Sequence, residues 1–497
     1  MSLTPAEAEV LSRIDEDQLV RLTRDLIQAP GQNPPGEEAA TVRVLAEAAR
    51  SLGLTVTLTP VAPGRENLTI TLAGGNNPGL LLLGHTDVVP IGEGWTVDPY
   101  GGLLRDDRLY GRGASDMKAG LAAALTTLAT LRTTPLSGPL TLAAVIDEEE
   151  TGKGIRAYLA ALRQTPVDTT SPANPGPDSL EADPALHRTP ADIASPTNPA
   201  LDKLEAHPTH HQTPADIASP TNPALDRLEA DPALHRTPVD SASPAGPGLD
   251  RLEAERTGAK PHTNPSPVPQ YLGCITAEPT DMQTIIAARG DSYLRVEVHG
   301  RASHAGNPDG GANAIYGASA IIAEIERLHA ELATAPHPLL GPATWSVGQI
   351  NGGTGGSIVP AECVIVADRR LLPGESPAEV LAELGRRIAA LRLEDRGLTV
   401  GLAMPMEMPA FETPADTDLV RTTEAARVDA GGTPRPLAGW TAACDGGYIA
   451  RDLDVPVVVL GPGSVTTQAH RADESVPIAE LLHAARTYTL TALRLLT

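Results

Sequence analysis

Histidine and carboxylate side chains follow several apolar runs of this sequence, at the points where strands would end. His85 and Asp87 come directly after the run Leu80–Leu83. The carboxylates of Asp147–Glu150 likewise follow the run Leu140–Ile146. The carboxyl ends of strands in an α/β sheet border the crevice in which such sheets bind ligands, and Asp87 would there orient the His85 imidazole. A lone His-x-Asp pair is more often an ordinary surface or core pair than a metal site. The adjacent carboxylates of Asp147–Glu150 repel one another, and a metal cluster explains their presence better than a solvated acidic loop does.

Three further side chains of the same chemical kinds occupy comparable positions. The glycine-rich turn Gly111–Gly113 leads to Asp116, just before an alanine- and leucine-rich helix at Lys118–Leu131. Glu278 follows a shorter apolar run, and His470 follows the last one. Asp116 could simply cap its helix, and the turn lacks the G-x-G-x-x-G fingerprint of dinucleotide sites. Taken together, these positions predict a metal site built from nitrogen and oxygen ligands.

The elements that must position these side chains indicate an α/β fold. Amphipathic periodicity predicts helices, and continuous apolar runs predict strands that are buried on both faces. The predicted helices are Asp17–Ile27, Ala39–Leu52 and Lys118–Leu131, and the predicted strands are Leu54–Leu58, Leu80–Leu83, Leu140–Ile146, Cys274–Ala277 and Val455–Leu460. We therefore expect a mixed, largely parallel sheet flanked by helices.

A second pattern interrupts this fold between Ser292 and about Leu402. It reads strand, helix, strand, helix, which is typical of a small α+β domain inserted into a larger one. Its predicted elements are Tyr293–Val298, Ala314–Leu328, Cys363–Ala367 and Pro377–Leu391. The expected division is residues 1–164, 271–290 and 404–497 for the larger domain, 291–403 for the smaller domain and 165–270 for an insertion.

The insertion at 165–270 repeats itself with a period of 24 residues, opening at Thr165, Thr189, Thr213 and Thr237. It holds 20 of the 47 prolines of the chain and few large apolar side chains. A packed repeat is one interpretation, but the short helices it offers are marginal alone, and we favour a mostly disordered, low-complexity segment. Six histidines could suggest metal storage, but proline-rich spacing offers no preformed site: His187, His207, His210, His211, His235 and His262.

Composition excludes several classes of function. A net charge of −24 argues against nucleic acid or an anionic membrane surface as a partner, because both would repel the chain. The opening residues lack a signal-like segment, and no run approaches the length of a membrane span, so we expect a cytoplasmic protein. The cysteines Cys274, Cys363 and Cys444 are too few and too scattered for a disulfide framework or a thiolate zinc site, which predicts buried thiols.

The order of these motifs resembles the co-catalytic metallopeptidase family that contains acetylornithine deacetylase, succinyl-diaminopimelate desuccinylase, aminoacylase and glutamate carboxypeptidase. The resemblance rests on His-x-Asp, Gly-Arg-Gly-x-x-Asp-Met-Lys, Asp-Glu-Glu, Glu-Pro-Thr, Gly-Arg-Ala-Ser-His-Ala, Gly-Pro-Gly and Ala-His-x-x-Asp-Glu, and it covers the chain outside the insertion. It implies that the smaller domain is a lid or dimerisation domain and that the active enzyme is a homodimer. It also implies a cis peptide bond at Asp116–Met117.

The resemblance implies two divalent metal ions, with zinc expected and cobalt or manganese as alternatives. His85, Asp116 and Glu278 would hold one ion, and Asp116, Glu149 and His470 the other. Three carboxylates and a hydroxide would cancel the charge of the two ions. Glu148 would be the general base, an alignment that uses Asp147 and Gly154 as anchors. Because the run holds three glutamates, Glu149 and Glu150 are the alternative base and ligand.

Other matching positions are expected to bind the substrate. His304 would reach the site of the partner subunit and stabilise the oxyanion, and Arg370 would bind a substrate carboxylate. Asn313 and the loop Gly461–Gly463 resemble further substrate contacts. The expected reaction is hydrolysis of the amide bond of a small N-acylated amino acid or peptide. A dipeptidase or carboxypeptidase of the same family is an alternative, as is a non-catalytic binding protein that retains the fold.

Overall fold

The computed structural model describes residues 3–164 and 271–497, so the predictions about the repeat segment lie outside the described residues. The α-helices of the described residues are α1 (Pro5–Leu11), α2 (Glu16–Gln28), α3 (Ala39–Ser51), α4 (Ala119–Leu131), α5 (Lys153–Gln164), α6 (Ala314–Leu332), α7 (Pro377–Ala390), α8 (Asp418–Asp429), α9 (Gly446–Leu453) and α10 (Ile478–Leu496).

The β-strands are β1 (Val56–Ala62), β2 (Arg65–Leu72), β3 (Gly79–His85), β4 (Leu103–Arg105), β5 (Arg108–Tyr110), β6 (Leu140–Val145), β7 (Tyr271–Thr276), β8 (Ile285–Ala288), β9 (Gly290–His299), β10 (Ser303–His304), β11 (Thr344–Gly352), β12 (Ile358–Val359), β13 (Glu362–Leu371), β14 (Thr399–Met408), β15 (Phe411–Glu412), β16 (Ala438–Trp440), β17 (Val457–Val459) and β18 (Ser475–Pro477).

The larger sheet has nine strands within the described residues, in the order β1-β2-β6-β3-β7-β17-β8-β15, with β16 paired to β8. Its centre is parallel, because β3 pairs in parallel with both β6 and β7, and β7 with β17. The outer pairs β1–β2 and β2–β6 are antiparallel. The pairs β17–β8 and β8–β15 are antiparallel as well, whereas β16 pairs in parallel with β8. The expected mixed sheet is therefore present, but it is parallel at its centre rather than over most of its width. The sequence predicted only its central strands and part of β1.

Two helical layers cover this sheet, as the continuous apolar runs predicted. On one face, Leu80 and Leu82 of β3 pack with α2, α3, α4 and α10. On the other face, Leu81 and Leu83 pack with α5 and α9. All residues of β3 and β6 are buried, so their backbones are fixed and the residues at their carboxyl ends have defined positions.

The smaller antiparallel sheet has the order β11-β13-β9-β14. It packs against α6 and α7 through its own apolar cluster, which includes Val296, Ile321, Ile365 and Leu384. The sequence predicted β9, β13 and both helices but missed β11 and β14. β14 extends to Met408, so the boundary expected at residue 403 lies inside a strand.

The ends of the described segments show where residues 165–270 attach to the fold. α5 ends at Gln164, and the chain resumes at Tyr271, the first residue of β7. Tyr271 pairs with Gly79, at the end of β3 opposite to His85. The attachment point on β7 is therefore at the amino ends of the parallel strands, a full strand length from their carboxyl ends. No helix of the described residues is both long and apolar enough to cross a bilayer.

Candidate metal centre

The five predicted metal ligands converge in the structure. His85, Asp116 and Glu278 form one group, and Asp116, Glu149 and His470 form another, with the ligand atoms of each group within 4.8 Å of one another. Asp116 belongs to both groups: its Oδ1 lies 3.2 Å from His85 Nε2 and its Oδ2 lies 3.3 Å from His470 Nε2. The carboxylate of Asp116 therefore lies between two adjacent sites.

Strand ends and short turns position these ligands. His85 is the last residue of β3, Glu149 follows β6, and Glu278 follows β7, so three ligands lie at the carboxyl ends of adjacent strands. Asp116 lies in a short helical turn, Ala114–Lys118, directly before α4, and its peptide bond to Met117 is cis, as the resemblance implied. His470 lies in an irregular loop after β17 and has a positive φ of 62°.

The contacts of His85 determine which of its nitrogens is free. Nδ1 lies 2.9 Å from the backbone carbonyl oxygen of Asp87, and because a carbonyl only accepts, Nδ1 carries the proton. Nε2 faces the Asp116 carboxylate, at 3.2 Å from Oδ1, and is the nitrogen that could bind a metal ion. The Asp87 carboxylate lies farther away, with Oδ1 3.5 Å from Nδ1. The backbone of Asp87, together with its charge, orients the imidazole.

The Asp87 carboxylate also fixes the segment that carries the glutamates. It accepts hydrogen bonds from the backbone N–H groups of Glu148 at 3.2 Å and Glu149 at 3.1 Å, and from Asn33 Nδ2 at 2.9 Å. Asp147 has a different role, because it accepts from Asn33, Arg65 and Thr151 and belongs to neither ligand group. One of the four adjacent carboxylates is thus neutralised by Arg65.

The placement of Glu148, Glu149 and Glu150 distinguishes between them. Glu149 Oε2 lies 3.1 Å from His470 Nε2, inside the second ligand group. Glu148 Oε2 lies 3.9 Å from His85 Nε2, beside the cluster but outside both groups. Glu150 is in neither ligand group, which favours Glu148 and Glu149 as the base and ligand pair.

The pKa values of the cluster show strong electrostatic coupling. Burial raises the pKa of Glu278 to about 7, against the lowering effect of His85. Burial also raises the pKa of Glu148 well above its usual range, and the charges of Glu278 and Glu149 raise it further. Burial alone would lower the pKa of His470, but its hydrogen bonds to Asp116 and Glu149 raise it to about 11. Burial thus disfavours the ionised forms of Glu278 and Glu148, and a cation bound beside them would favour these forms.

The donor set fits divalent metal ions. Each group offers imidazole nitrogen and carboxylate oxygen without a thiolate, and Glu149 Oε1 is buried without a hydrogen-bond partner among the described residues. Asp445, at the start of α9, is also buried, and both of its carboxylate oxygens lack partners there. Two divalent ions would offset this excess of negative charge.

The remaining predicted site residues lie outside the metal cluster. His304 pairs with Ile358 in the β10–β12 ladder, and its Nδ1 accepts a hydrogen bond from Gly306 N–H. Asn313 caps α6, because its side chain accepts from Tyr316 N–H at 3.2 Å. Arg370 pairs with Asp368 at 2.9 Å and with Asp291 at 3.1 Å.

Gly461 and Gly463 lie close to the backbone that carries ligands. A Cβ on Gly461 would lie 2.4 Å from the Ala277 carbonyl oxygen, and one on Gly463 would lie 2.1 Å from Ser115 Oγ. Gly463 also has a φ of 91°. This loop therefore packs between Ser115 and Ala277, the neighbours of two ligands, and both positions require glycine.

Sequence reasoning missed several residues that support the centre. Asn33 bridges Asp87 and Asp147, and a buried ion pair joins Arg65 to Glu38. The sequence Asn33-Pro34-Pro35-Gly36 reads only as a turn, and the contacts of Asn33 cross 54 and 114 residues of chain, which no local pattern reveals. Asp445 carries no local signal either.

Comparison with known proteins identifies the class to which this fold and site belong. Residues 81–494 match the model of peptidase family M20/M25/M40, so the chain belongs to this family and is a hydrolase that acts on amide bonds. An acetylornithine deacetylase of Klebsiella pneumoniae (strain 342) is 26% identical over 471 residues, covering 92% of each chain.

Two solved structures share the fold. A metallo-carboxypeptidase of this family from Sulfolobus solfataricus has a TM-score of 0.63 at 15% identity, covering 96% of this chain and all of its own. A Bacillus subtilis protein described as a dinuclear metal-binding peptidase has a TM-score of 0.59 at 12% identity, covering 97% of this chain and 98% of its own.

Proposed function

We propose that this protein is a two-metal hydrolase that releases a free amino acid from an N-acylated amino acid. The observation that carries the proposal is the pair of ligand groups that share Asp116 next to the buried carboxylate of Glu148. Zinc is the favoured metal because the donors are imidazole and carboxylate, and cobalt or manganese would fit the same set. An intact ligand set with an adjacent base argues against a non-catalytic binding protein.

Each protein group has a distinct task in the proposed reaction. Two bound divalent ions would lower the pKa of a water molecule toward neutrality and polarise the substrate carbonyl. Glu148 would act as the general base that accepts a proton from the attacking water and transfers it to the leaving amine. Burial raises the pKa of Glu148, because little solvent reaches its carboxylate to stabilise the charge. A carboxylate with a raised pKa is a stronger base. Asp87 holds His85 and the backbone of Glu148 in register.

Arg370 is the proposed ligand of the substrate carboxylate. Its Nε and Nη2 bond to Asp368, whereas Nη1 makes no hydrogen bond within the described part of the chain. Burial lowers the pKa of Arg370, but the charges of Asp291 and Asp368 raise it by more, so the guanidinium stays charged. Nη1 is thus left to bind a carboxylate of the substrate. Asn313, Gly461 and Gly463 are proposed as further contacts.

We also propose that residues 291–403 form a lid and dimerisation domain. β11 is an edge strand, and the exposed apolar side chains Tyr316, Ile350 and Ile358 lie on this domain. Ile358 pairs with His304, so His304 lies beside one of these exposed apolar residues. This arrangement supports docking of a second copy and delivery of His304 to the partner's site.

The substrate we propose is an N-acetyl or N-succinyl amino acid, as in acetylornithine deacetylase, with a dipeptide as the alternative. Likeness to the Klebsiella pneumoniae relative supports the first choice. The test is a release assay with N-acetyl, N-succinyl and dipeptide substrates, using protein reloaded with zinc or cobalt. If only a dipeptide is hydrolysed, the enzyme is a peptidase and not an N-deacylase. If no substrate is hydrolysed at full metal occupancy, the proposed function is refuted. The cytoplasmic location stays a prediction.

A further inference from the structure

The Glu474 carboxylate is fully buried and accepts four hydrogen bonds. The donors are Arg112 Nη1 at 2.7 Å and the backbone N–H groups of Gly113 at 3.2 Å, Ser115 at 2.8 Å and Asp116 at 3.0 Å. The last of these donors belongs to the residue shared by both ligand groups. Glu474 therefore fixes the main chain of Asp116, although 358 residues separate them in sequence.

The charge of Glu474 is compensated inside the protein. Arg112 is itself 2% exposed, and its Nη2 donates to the carbonyl oxygens of Pro90 at 3.2 Å and Ile91 at 2.9 Å. Its guanidinium carbon lies 5.2 Å from the centre of the Trp95 ring. Only Nε of this guanidinium lacks a hydrogen-bond partner among the described residues. A buried ion pair whose other donors are bound favours one geometry, because displacement would leave charged groups unpaired.

The backbone of Glu474 holds the same turn from the other side. Its carbonyl oxygen accepts from Gly111 N–H at 2.8 Å, and the next residue, Ser475, pairs with Tyr110 where β18 joins β5. His470 lies only four residues before Glu474 on this segment. One residue thus connects the turn that carries Asp116 to the loop that carries His470.

We propose that Glu474 is a positioning residue of the metal centre: its carboxylate sets the placement of Asp116 relative to His470 without contacting either ion. The inference rests on the proposed metal function. Groups that orient metal ligands typically contribute 10- to 100-fold, as an order of magnitude, to metal affinity or activity. All four partners of the Glu474 carboxylate are donors, two on each oxygen. In glutamine an NH2 group replaces one of these oxygens, and this group would face two donors without being able to accept from them.

The experiment compares Glu474→Gln with Glu480→Gln as a matched control. Glu480 is a partly buried carboxylate of the same region, and it accepts a hydrogen bond from Gly463 N–H at 2.8 Å instead of from the backbone of a predicted ligand. The measurements are zinc isotherms of the metal-free proteins, thermal unfolding without metal, visible spectra of the cobalt-loaded proteins, and kcat and KM.

For Glu474→Gln we expect a folded protein with zinc affinity reduced about 10- to 100-fold, an altered cobalt spectrum, and a lower kcat with KM within about twofold. Glu480→Gln should bind zinc like the wild type. If Glu474→Gln does not fold, Glu474→Asp is measured in the same way, because it keeps the charge for Arg112 but is too short for all four donors.

A folded variant at position 474 with wild-type isotherms and cobalt spectrum would overturn the proposal. An equal loss of zinc affinity in Glu480→Gln would also overturn it, since the effect would then be a general property of the region. The zinc isotherm involves no substrate. Failure to hydrolyse any N-acyl amino acid would therefore count against the proposed function and not against this inference.

Discussion

Replacing Glu148 by glutamine separates proton transfer from metal binding. The amide has the shape of the carboxylate, and the backbone of residue 148 stays bound to Asp87. Glu148 belongs to neither ligand group, so both ions should remain. The amide cannot accept a proton from water, and the catalytic step should lose its base.

The expected loss is large in kcat and small in KM. A general base contributes about 10²–10⁴ in rate, which corresponds to roughly 3–5 kcal/mol of barrier. The substrate contacts proposed for Arg370 and the Gly461–Gly463 loop are unchanged, so KM should stay within about threefold. Glu149→Gln is the informative partner variant, because Glu149 Oε2 lies 3.1 Å from His470 Nε2 within a ligand group.

The assay combines metal analysis with steady-state kinetics at increasing zinc. Glu148→Gln should contain two ions and stay inactive at any zinc concentration. Glu149→Gln should lose one ion and recover part of its activity in excess zinc. The reverse pattern, with an ion lost from Glu148→Gln and retained by Glu149→Gln, would refute the assignment and favour Glu149 and Glu150 as base and ligand.

Three further predictions follow from the site and the topology. Replacing residues 165–267 by a short Gly/Ser linker should keep kcat/KM within about threefold. The reason is that Tyr271 enters the sheet at the end of the strands opposite to His85. A hundredfold loss of kcat/KM in a folded, metal-loaded protein would contradict this prediction. Mixing inactive His304→Ala with inactive Glu148→Gln should restore activity in hybrid dimers, and no recovery after verified subunit exchange would exclude action across the interface. Burial raises the pKa of Glu278 to about 7, and hydrogen bonds to Asp116 and Glu149 raise that of His470 to about 11 against the lowering effect of burial, so zinc must displace both protons. The apparent zinc affinity should therefore fall by at least about tenfold from pH 8 to pH 6, and a flat profile would show that neither residue is a ligand.

The sequence predicted the centre of the fold well because buried parallel strands have an unmistakable composition. Leu80–Leu83 and Leu140–Ile146 are continuous apolar runs, and their ends located His85 and Glu149. β11 was missed because Trp345 is its only buried residue, and because Gly348 and Gly352 interrupt the apolar pattern.

Convergence of the ligands could be expected only from the order of motifs, since nothing local in the sequence brings His470 next to Asp116. The contacts that support the ligands could not be predicted from the sequence for the same reason. Asn33 and Asp147, for instance, meet across 114 residues, and their pairing depends on how the amino-terminal turn packs on the sheet. Arg370 was expected from its motif, but its pairing with Asp291 follows from the register of β13 against β9.

The two ligand groups differ in how solvent reaches them, which has a consequence for metal exchange. The side chains of His85 and Glu278 are 1% and 3% exposed, on strand ends inside the sheet. The His470 side chain is 52% exposed on its loop. A chelator could therefore reach an ion held by Asp116, Glu149 and His470 from bulk water, whereas release of an ion held by His85, Asp116 and Glu278 would require the strand ends to separate locally. The centre should empty in two kinetic phases, with the outer ion leaving first.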